Sequence, residues 1–417
     1  MIVVDHPVAP ADQNVAIELR GFPRRELVTV TATTEGGSQW QARAAYLADD
    51  DGRVSIAHQS PVSGSYSGVS AMGLFWSAER LLGDLKPRPE DWVHTPFHVR
   101  LEADGQGGAR AELTLERRVL GPGVSRQAVH TNAMVGTLFL PPGEGPHPAV
   151  MVVSGGWGGL DEYKGALLAS HGYAAFNLAY FAMPGLPPGL FNIPLEYFEN
   201  AINWMRQQPW LADRFLAVWG PSRGGELALL LGATFPDINA VSAWVPSGVL
   251  FWAIGGDGPA WTFRGKPLPY LQQDNPFVQT TPEVEPGKPI AYARIYRTHL
   301  ADARAVERAT IAVENICGPV QLVSGGDDQM WPSAELSDIA YRRLQAHRHP
   351  YPFRHLRFEK AGHHILVPHG PRTVLVDSFE GYVFRQGGTP RDNADAGDEA
   401  WRDLLKFLED AVRLRGR

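Results

Sequence analysis

From about residue 130 onward the chain spells whole strands in apolar letters. PAVMVVSG comes first, then DEYKGALLASHG with helical character, YAAFNLAY, PLEYFENAINWMRQQ and RFLAVWG. A strand apolar on both faces has to be covered on both faces, and parallel neighbours need a helix-sized crossover between them. INAVSAWVP, GPVQLVSG and YPFRHLRFEK add three strand candidates, and WRDLLKFLEDAVRLR an amphipathic terminal helix. The alternation predicts an α/β domain with a mostly parallel sheet over residues 126–417.

Residues 1–125 carry the other period. In VAIELRG, Val15, Ile17 and Leu19 fall on one face, LVTVTATT and QARAAYLAD follow, and Asp51-Gly52 is a good hairpin turn. This pattern predicts an N-terminal all-β domain of immunoglobulin-like sandwich shape. The small residues and aromatics of SGSYSGVSAMGLFW form a patch suited to packing on a second domain. Within the α/β region the alternation breaks between Ser247 and about Glu314, where Pro, Gly and Trp are plentiful. Long irregular segments in compact domains are commonly functional, and the bulk of Phe251, Trp252, Trp261, Phe263 and Tyr270 predicts an ordered lid.

Several function classes fall away on composition. A net charge of −7 over 417 residues argues against a nucleic-acid partner, since phosphate binding asks for a basic face. The single cysteine, Cys317, rules out an internal disulfide and reads as a buried small apolar residue at a strand entrance. The longest aliphatic run, LALLLGA, is far short of the roughly 20 residues of a membrane span. MIVVDHPVAPAD lacks the basic and long apolar regions of a signal peptide, and RLRGR is neither a peroxisomal address nor a lipidation box. The expectation is a cytoplasmic protein.

The chemistry gathers around AVWGPSRGGELALL. A strand candidate, Phe215–Trp219, runs into Gly-Pro-Ser-Arg-Gly and out into a helix candidate, Gly224–Ala233. In that setting G-x-S-x-G is a nucleophile elbow: the flanking glycines let strand and helix close on a strained turn that exposes the serine. Ser222 is therefore the candidate nucleophile. An acid and then a histidine should follow in chain order. Asp328, in GGDDQMWP, and His363, in AGHH, each come just after a strand candidate. The histidine would take the serine proton and the carboxylate would hold its tautomer. Asp327 and His364 are the adjacent rivals, and Asp328 and His363 are preferred for their spacing from Gly325, Pro332 and Gly362. A metal reading of His363, His364 and His369 lacks an acidic or cysteine ligand at matching spacing, so no metal or other cofactor is expected. The oxyanion donors expected are the Arg223 amide and one in SGGWGG, from Gly156 or Trp157. A phosphate-cradling reading of SGGWGGLDEYKG fails on its missing G-K-[ST] ending.

Taken together, these blocks resemble the acyl-CoA thioesterase and bile acid-CoA:amino acid N-acyltransferase family. The resemblance spans nearly the whole chain. It lies in GSYSGVSAMGLFW (Gly64–Trp76), GTLFLPPGEGPHPAVMVVSG, GPSRGGELALLLGATFPDINAVSAWVPSG, GGDDQMW, AGHHILVP and GGTPRDNADAGDEAW (Gly387–Trp401). It implies a β-sandwich joined to an α/β-hydrolase domain, an acyl-CoA or other activated acyl substrate, and a triad carried over onto Ser222, Asp328 and His363. Conjugating members of the family carry cysteine at the nucleophile, so Ser222 implies hydrolysis. Where the family's thioesterases often have lysine, this chain has Arg223, with two readings open: contact with the CoA phosphates, or a surface charge near the elbow. Glu226 reads as an acid suited to the helix dipole. The 247–314 segment follows the family loosely, so Phe251, Trp252 and Trp261 are candidates for acyl-chain contact.

Overall fold

The computed structural model describes residues 1–35, 39–82, 93, 95–131, 133–272, 288–379 and 382–416. They divide into two compact units. The first is Met1–Gly121 with Leu366–Leu375 and Thr389–Asp398; the second is Pro122–Ile365 with Val376–Gly388 and Glu399–Arg417. The two C-terminal segments of the first unit depart from a simple division of the chain near residue 125. No run length or period in them distinguishes the domain they pack into.

The first unit is mainly strands, with the short helix Gly73–Trp76 and the start of the terminal helix Pro390–Arg415. β1 (Ile2–Val4), β3 (Ile17–Leu19) and β6 (Val54–Ser55) form a three-stranded sheet. β2 (Val8–Pro10), β4 (Leu27–Glu35), β5 (Gln39–Leu47), β7 (Ser63–Gly64), β8 (Glu79–Leu82), β9 (Phe97–Gly105) and β10 (Arg110–Arg118) form a seven-stranded one. Val15, Ile17 and Leu19 are buried together, as their alternation requires. The aromatic patch expected to face another domain is instead part of this unit's own core, with Tyr66, Leu74, Phe75 and Trp76 all buried there.

The second unit holds an eight-stranded sheet of β11 (Ser125–His130), β12 (Val135–Leu140), β13 (His147–Val153), β14 (Ala174–Ala179), β16 (Leu211–Pro221), β17 (Ala240–Trp244), β21 (Val320–Gly325) and β22 (Phe353–Phe358), with β15 (Ile193–Pro194), β18 (Trp261–Phe263), β19 (Lys266–Pro267) and β20 (Pro289–Ile290) as short strands outside it. The order across the sheet is β11–β12–β14–β13–β16–β17–β21–β22. β11 and β12 pair antiparallel, as do β12 and β14; from β14 to β22 every pairing is parallel. The mostly parallel sheet expected from the apolar runs is present. Every residue of β14, β17 and β21 is buried, which is why those strands are written without alternation. Helices Glu162–Ser170, Leu195–Arg206, Arg223–Thr234 and Ser333–Ala346 fill the crossovers.

Between Ser247 and Glu314 the described residues include short strands and the helices Ala293–Leu300 and Ala303–Ala309; residues 273–287 lie outside the described set. Phe251, Trp252 and Tyr296 from this stretch form a buried cluster with Trp331. Trp252 stacks on Tyr296 at 5.1 Å with 7° between the planes. Cys317 corrects the expectation placed on it, because its side chain is exposed. β21 starts at Val320, so Cys317 still belongs to the approach loop, and Ile316 fills the core position instead.

Candidate active site

β16 ends at Pro221 and the next helix starts at Arg223, so Ser222 takes the whole reversal of direction in one residue. Its φ is 55° and ψ −124°, a conformation that L residues adopt only under tertiary constraint. The constraint is visible on both sides. The Ser222 amide donates to Trp244 O at 2.8 Å, and Ser222 O accepts from the Gly225 and Glu226 amides at 2.9 and 3.0 Å. Glycine at 220 and 224 is a steric requirement. A Cβ on Gly220 would lie 2.4 Å from Gly224 O, and one on Gly224 would lie 2.4 Å from Ser154 O.

Asp328 and His363 reach this turn from the loops after β21 and β22, beyond the intervening β17. His363 Nε2 is 3.0 Å from Ser222 Oγ, and His363 Nδ1 is 2.8 Å from Asp328 Oδ2. The other carboxylate oxygen, Asp328 Oδ1, accepts from the Met330 and Trp331 amides at 3.0 and 3.2 Å. The Asp328 side chain is 1% exposed and that of His363 10%, so the relay is sheltered on the acid side. Asp327, one residue away, turns elsewhere: its Oδ2 accepts from the Gly388 amide at 2.8 Å. His369 belongs to the first unit. There burial first, then the nearby Arg117, pushes its imidazole down to about 3. Among the described residues no group of three or more His, Cys, Asp or Glu side chains could hold a metal ion.

The loop after β13 lies against the serine. A Cβ on Gly155 would be 3.5 Å from Ser222 Cβ, and one on Gly156 would be 3.4 Å from Arg223 Cγ. Trp157, next along, is 49% exposed. The Arg223 amide heads the helix, where an N–H has no intrahelical acceptor.

The Arg223 side chain overturns both readings of it. It is 3% exposed, so it neither decorates the surface nor reaches a solvent-borne phosphate. Nη1 lies 3.2 Å from Glu226 Oε2, and Nη2 donates to Trp252 O at 3.1 Å and Phe251 O at 3.3 Å. Glu226 is fully buried and accepts from Trp261 Nε1 at 2.7 Å and from the Phe251 amide at 3.3 Å. Burial pushes its carboxyl upward, and Arg223 opposes that shift most strongly. Phe251, Trp252 and Trp261 are 0, 6 and 1% exposed. Their rings therefore pack within the protein and offer a ligand almost no surface.

Two contributors lay beyond sequence reasoning. Trp331 donates its Nε1 proton to Val245 O at 2.9 Å and sets its ring edge-on to His363 at 6.2 Å. Gln386 O accepts from the His363 amide at 2.7 Å. The acid-loop motif hints at Trp331 by adjacency; nothing in the spacing points to Gln386.

The protein is an α/β fold with a serine, a histidine and an aspartate hydrogen-bonded in series at the carboxyl ends of its strands. The chain belongs to the acyl-CoA thioester hydrolase/BAAT family. Its residues 12–131 match that family's N-terminal region, and residues 193–413 match its C-terminal region. It is 32% identical to acyl-coenzyme A thioesterase 2, mitochondrial, of Mus musculus, over 95% of this chain and 86% of that one. Acyl-coenzyme A thioesterase 1 of Homo sapiens is 31% identical over 95% and 93%, and the peroxisomal succinyl-coenzyme A thioesterase of Mus musculus 32% over 95% and 93%. Among solved structures it is similar to a putative dienelactone hydrolase from Klebsiella pneumoniae. That likeness has 14% identity and a TM-score of 0.43 over 69% of this chain and 98% of that one. Among the described residues no helix is long and apolar enough to cross a membrane.

Proposed function

We propose that this protein hydrolyses acyl-CoA thioesters to a free acid and CoA through an acyl-enzyme on Ser222. The observation that carries the reading is the unbroken relay from Asp328 through His363 to Ser222, with both hydrogen bonds at 2.8–3.0 Å. The family supplies the substrate class, since its relatives are named as acyl-CoA thioesterases.

In the first half-reaction Ser222 Oγ bonds to the thioester carbonyl carbon while its proton passes to His363 Nε2. The carbonyl oxygen becomes an oxyanion, held by the Arg223 amide and an amide of the Gly156–Trp157 loop. The intermediate collapses by breaking the carbon–sulfur bond, and the His363 proton goes to the departing CoA sulfur. Water then enters. His363 takes one of its protons, the oxygen bonds to the acyl carbon, and the proton returns to Ser222 Oγ as the acid leaves. Asp328 accepts from Nδ1 throughout, so the ring keeps Nε2 free to receive the serine proton. The two backbone amides on its other oxygen keep its charge in place. The two sheets of the first unit support an immunoglobulin-like sandwich reading for residues 1–125. The described residues of the 247–314 segment support the site from behind, through buried rings and the 251–252 carbonyls that Arg223 binds.

The test is thiol release from a CoA series running from acetyl to palmitoyl, with an aryl ester beside it. Thiol release by the wild type and a loss of at least about 1,000-fold in Ser222→Ala are expected. Full activity in that variant, or turnover of the ester with no thioester, would overturn the proposal.

A further inference from the structure

The buried Arg223–Glu226 pair poses a physical question. Exchanging such a pair for apolar residues of similar volume is often neutral or stabilising, so stability is a poor reason to have one. This pair sits in the first turn of the elbow helix, with Arg223 side chain 3% and Glu226 0% exposed. Its contacts run to the elbow loop and to the 251–261 segment. The Arg223 stem lies against Gly156, where a Cβ would be 3.4 Å from Cγ. Its guanidinium spans Phe251 O, Trp252 O and Glu226, and Glu226 in turn takes the Phe251 amide and the Trp261 indole. From Phe251 the rings continue at 6.1 Å to Trp331, whose amide donates to Asp328 and whose edge faces His363.

We infer that the Arg223 side chain, with Glu226, is a positioning group. It fixes the elbow amide, the Gly156 loop and the 251–261 wall as one rigid frame around the reacting carbonyl. The inference rests on the triad reading above and adds to it a residue whose side chain never touches the substrate. The reasoning is geometric. Oxyanion donors work when they are already aimed at where charge will develop, and an error of a fraction of an ångström is costly. Arg offers a planar fork that can hold several acceptors in fixed directions, whereas the Lys ammonium is a mobile point charge. Arg223 Nη2 meets two carbonyls and Nη1 the carboxylate. Lysine at 223 keeps the charge opposite Glu226 and cannot keep all three contacts.

Two variants test this: Arg223→Lys, and the apolar double variant Arg223→Met with Glu226→Leu. Three quantities are read on each: kcat and KM for thiol release, the second-order rate at which a small fluorophosphonate modifies Ser222, and the midpoint of thermal unfolding. Arg223→Lys is expected to lose about tenfold in kcat and in phosphonylation rate, with KM within twofold and the midpoint within a few degrees. The double variant leaves the Trp261 indole and the Phe251 amide without their carboxylate, so it is expected to unfold earlier than the wild type and, assayed well below its own midpoint, to lose at least as much rate. A double variant with wild-type kcat and phosphonylation rate would overturn the inference, as would an Arg223→Lys loss seen only in KM or only in the unfolding midpoint. If the double variant does not fold, Arg223→Lys decides. If the wild type modifies readily at Ser222 but releases no thiol, the substrate reading fails, and the phosphonylation rates still decide the role of Arg223.

Discussion

Ser222 holds a strained backbone conformation at the strand-to-helix turn. A φ of 55° at a non-glycine residue costs of order 1 kcal/mol or more, and such strain persists only where surrounding contacts over-determine it. Here the Trp244 carbonyl and two helix amides do so. Asp328 shows the same economy on the acid side, with one oxygen for the histidine and the other for two amides. Asp328→Asn would leave those amides an acceptor but present His363 Nδ1 with an amide that can favour the wrong tautomer. We expect a loss of roughly 1,000- to 10,000-fold in kcat with the unfolding midpoint little changed, measured by steady-state thiol release and calorimetry. A loss under tenfold would remove Asp328 from the relay. The choice between Asp327 and Asp328, or between His363 and His364, rested on loop spacing alone. The structure separates the first pair by direction, since Asp327 turns to the Gly388 amide.

At the scale of elements, the elbow depends on how closely a helix can approach a strand. Gly224 stands where the helix Arg223–Thr234 meets the end of β13, and a methyl group there would press on the backbone oxygens of Ser154 and Val153 at 2.4 and 2.9 Å. Neither oxygen belongs to a movable side chain, so the helix itself would have to shift. Gly224→Ala is expected to destabilise by about 2–4 kcal/mol and to slow phosphonylation of Ser222 sharply. Gly159→Ala is the contrast, because its added methyl has nothing within 4 Å and meets only a positive φ of 69°. That costs about 1 kcal/mol. Denaturant unfolding of the two variants checks the order, and equal losses would refute the close-approach argument. Strands and helices were legible for the same reason: β14, β17 and β21 are buried on both faces and read as unbroken apolar runs. The segments Leu366–Leu375 and Thr389–Asp398 were not legible as parts of the first unit, since no local period records which core a segment joins.

For the whole molecule, one response to pH is built into the first unit at His369. His369 there is held neutral, with burial the leading cause, Arg117 and Arg372 adding to it, and Asp12 opposing. Its folded value of about 3 lies below the roughly 6.5 of an unfolded imidazole. Between those values the unfolded chain binds the extra proton, so the contribution to stability is complete above pH 6.5 and declines as pH falls toward 3. At pH 5 the loss should be of order 2 kcal/mol relative to neutral pH. His369→Gln should show a visibly flatter stability profile between pH 7 and 5 than the wild type in urea unfolding. Identical pH slopes for the two proteins would show that His369 is not held this way.

The order of strands and helices, the serine at the strand-to-helix turn and the loops that carry Asp328 and His363 are local facts. Each depends on periodicity, on turn chemistry or on a few adjacent residues, and each was readable along the chain. The fate of side chains that meet residues far away is another matter. Arg223 read as a surface charge or a phosphate contact, and the fold buries it against Glu226 and the 251–252 carbonyls. Gln386, which holds the His363 amide, comes from a stretch with no motif at all. Burial and hydrogen bonding are set by whatever packs nearby in space, and the 251–252 carbonyls that meet Arg223 and the His363 amide that meets Gln386 arrive from 23 or more positions away. Only the tertiary structure brings them there.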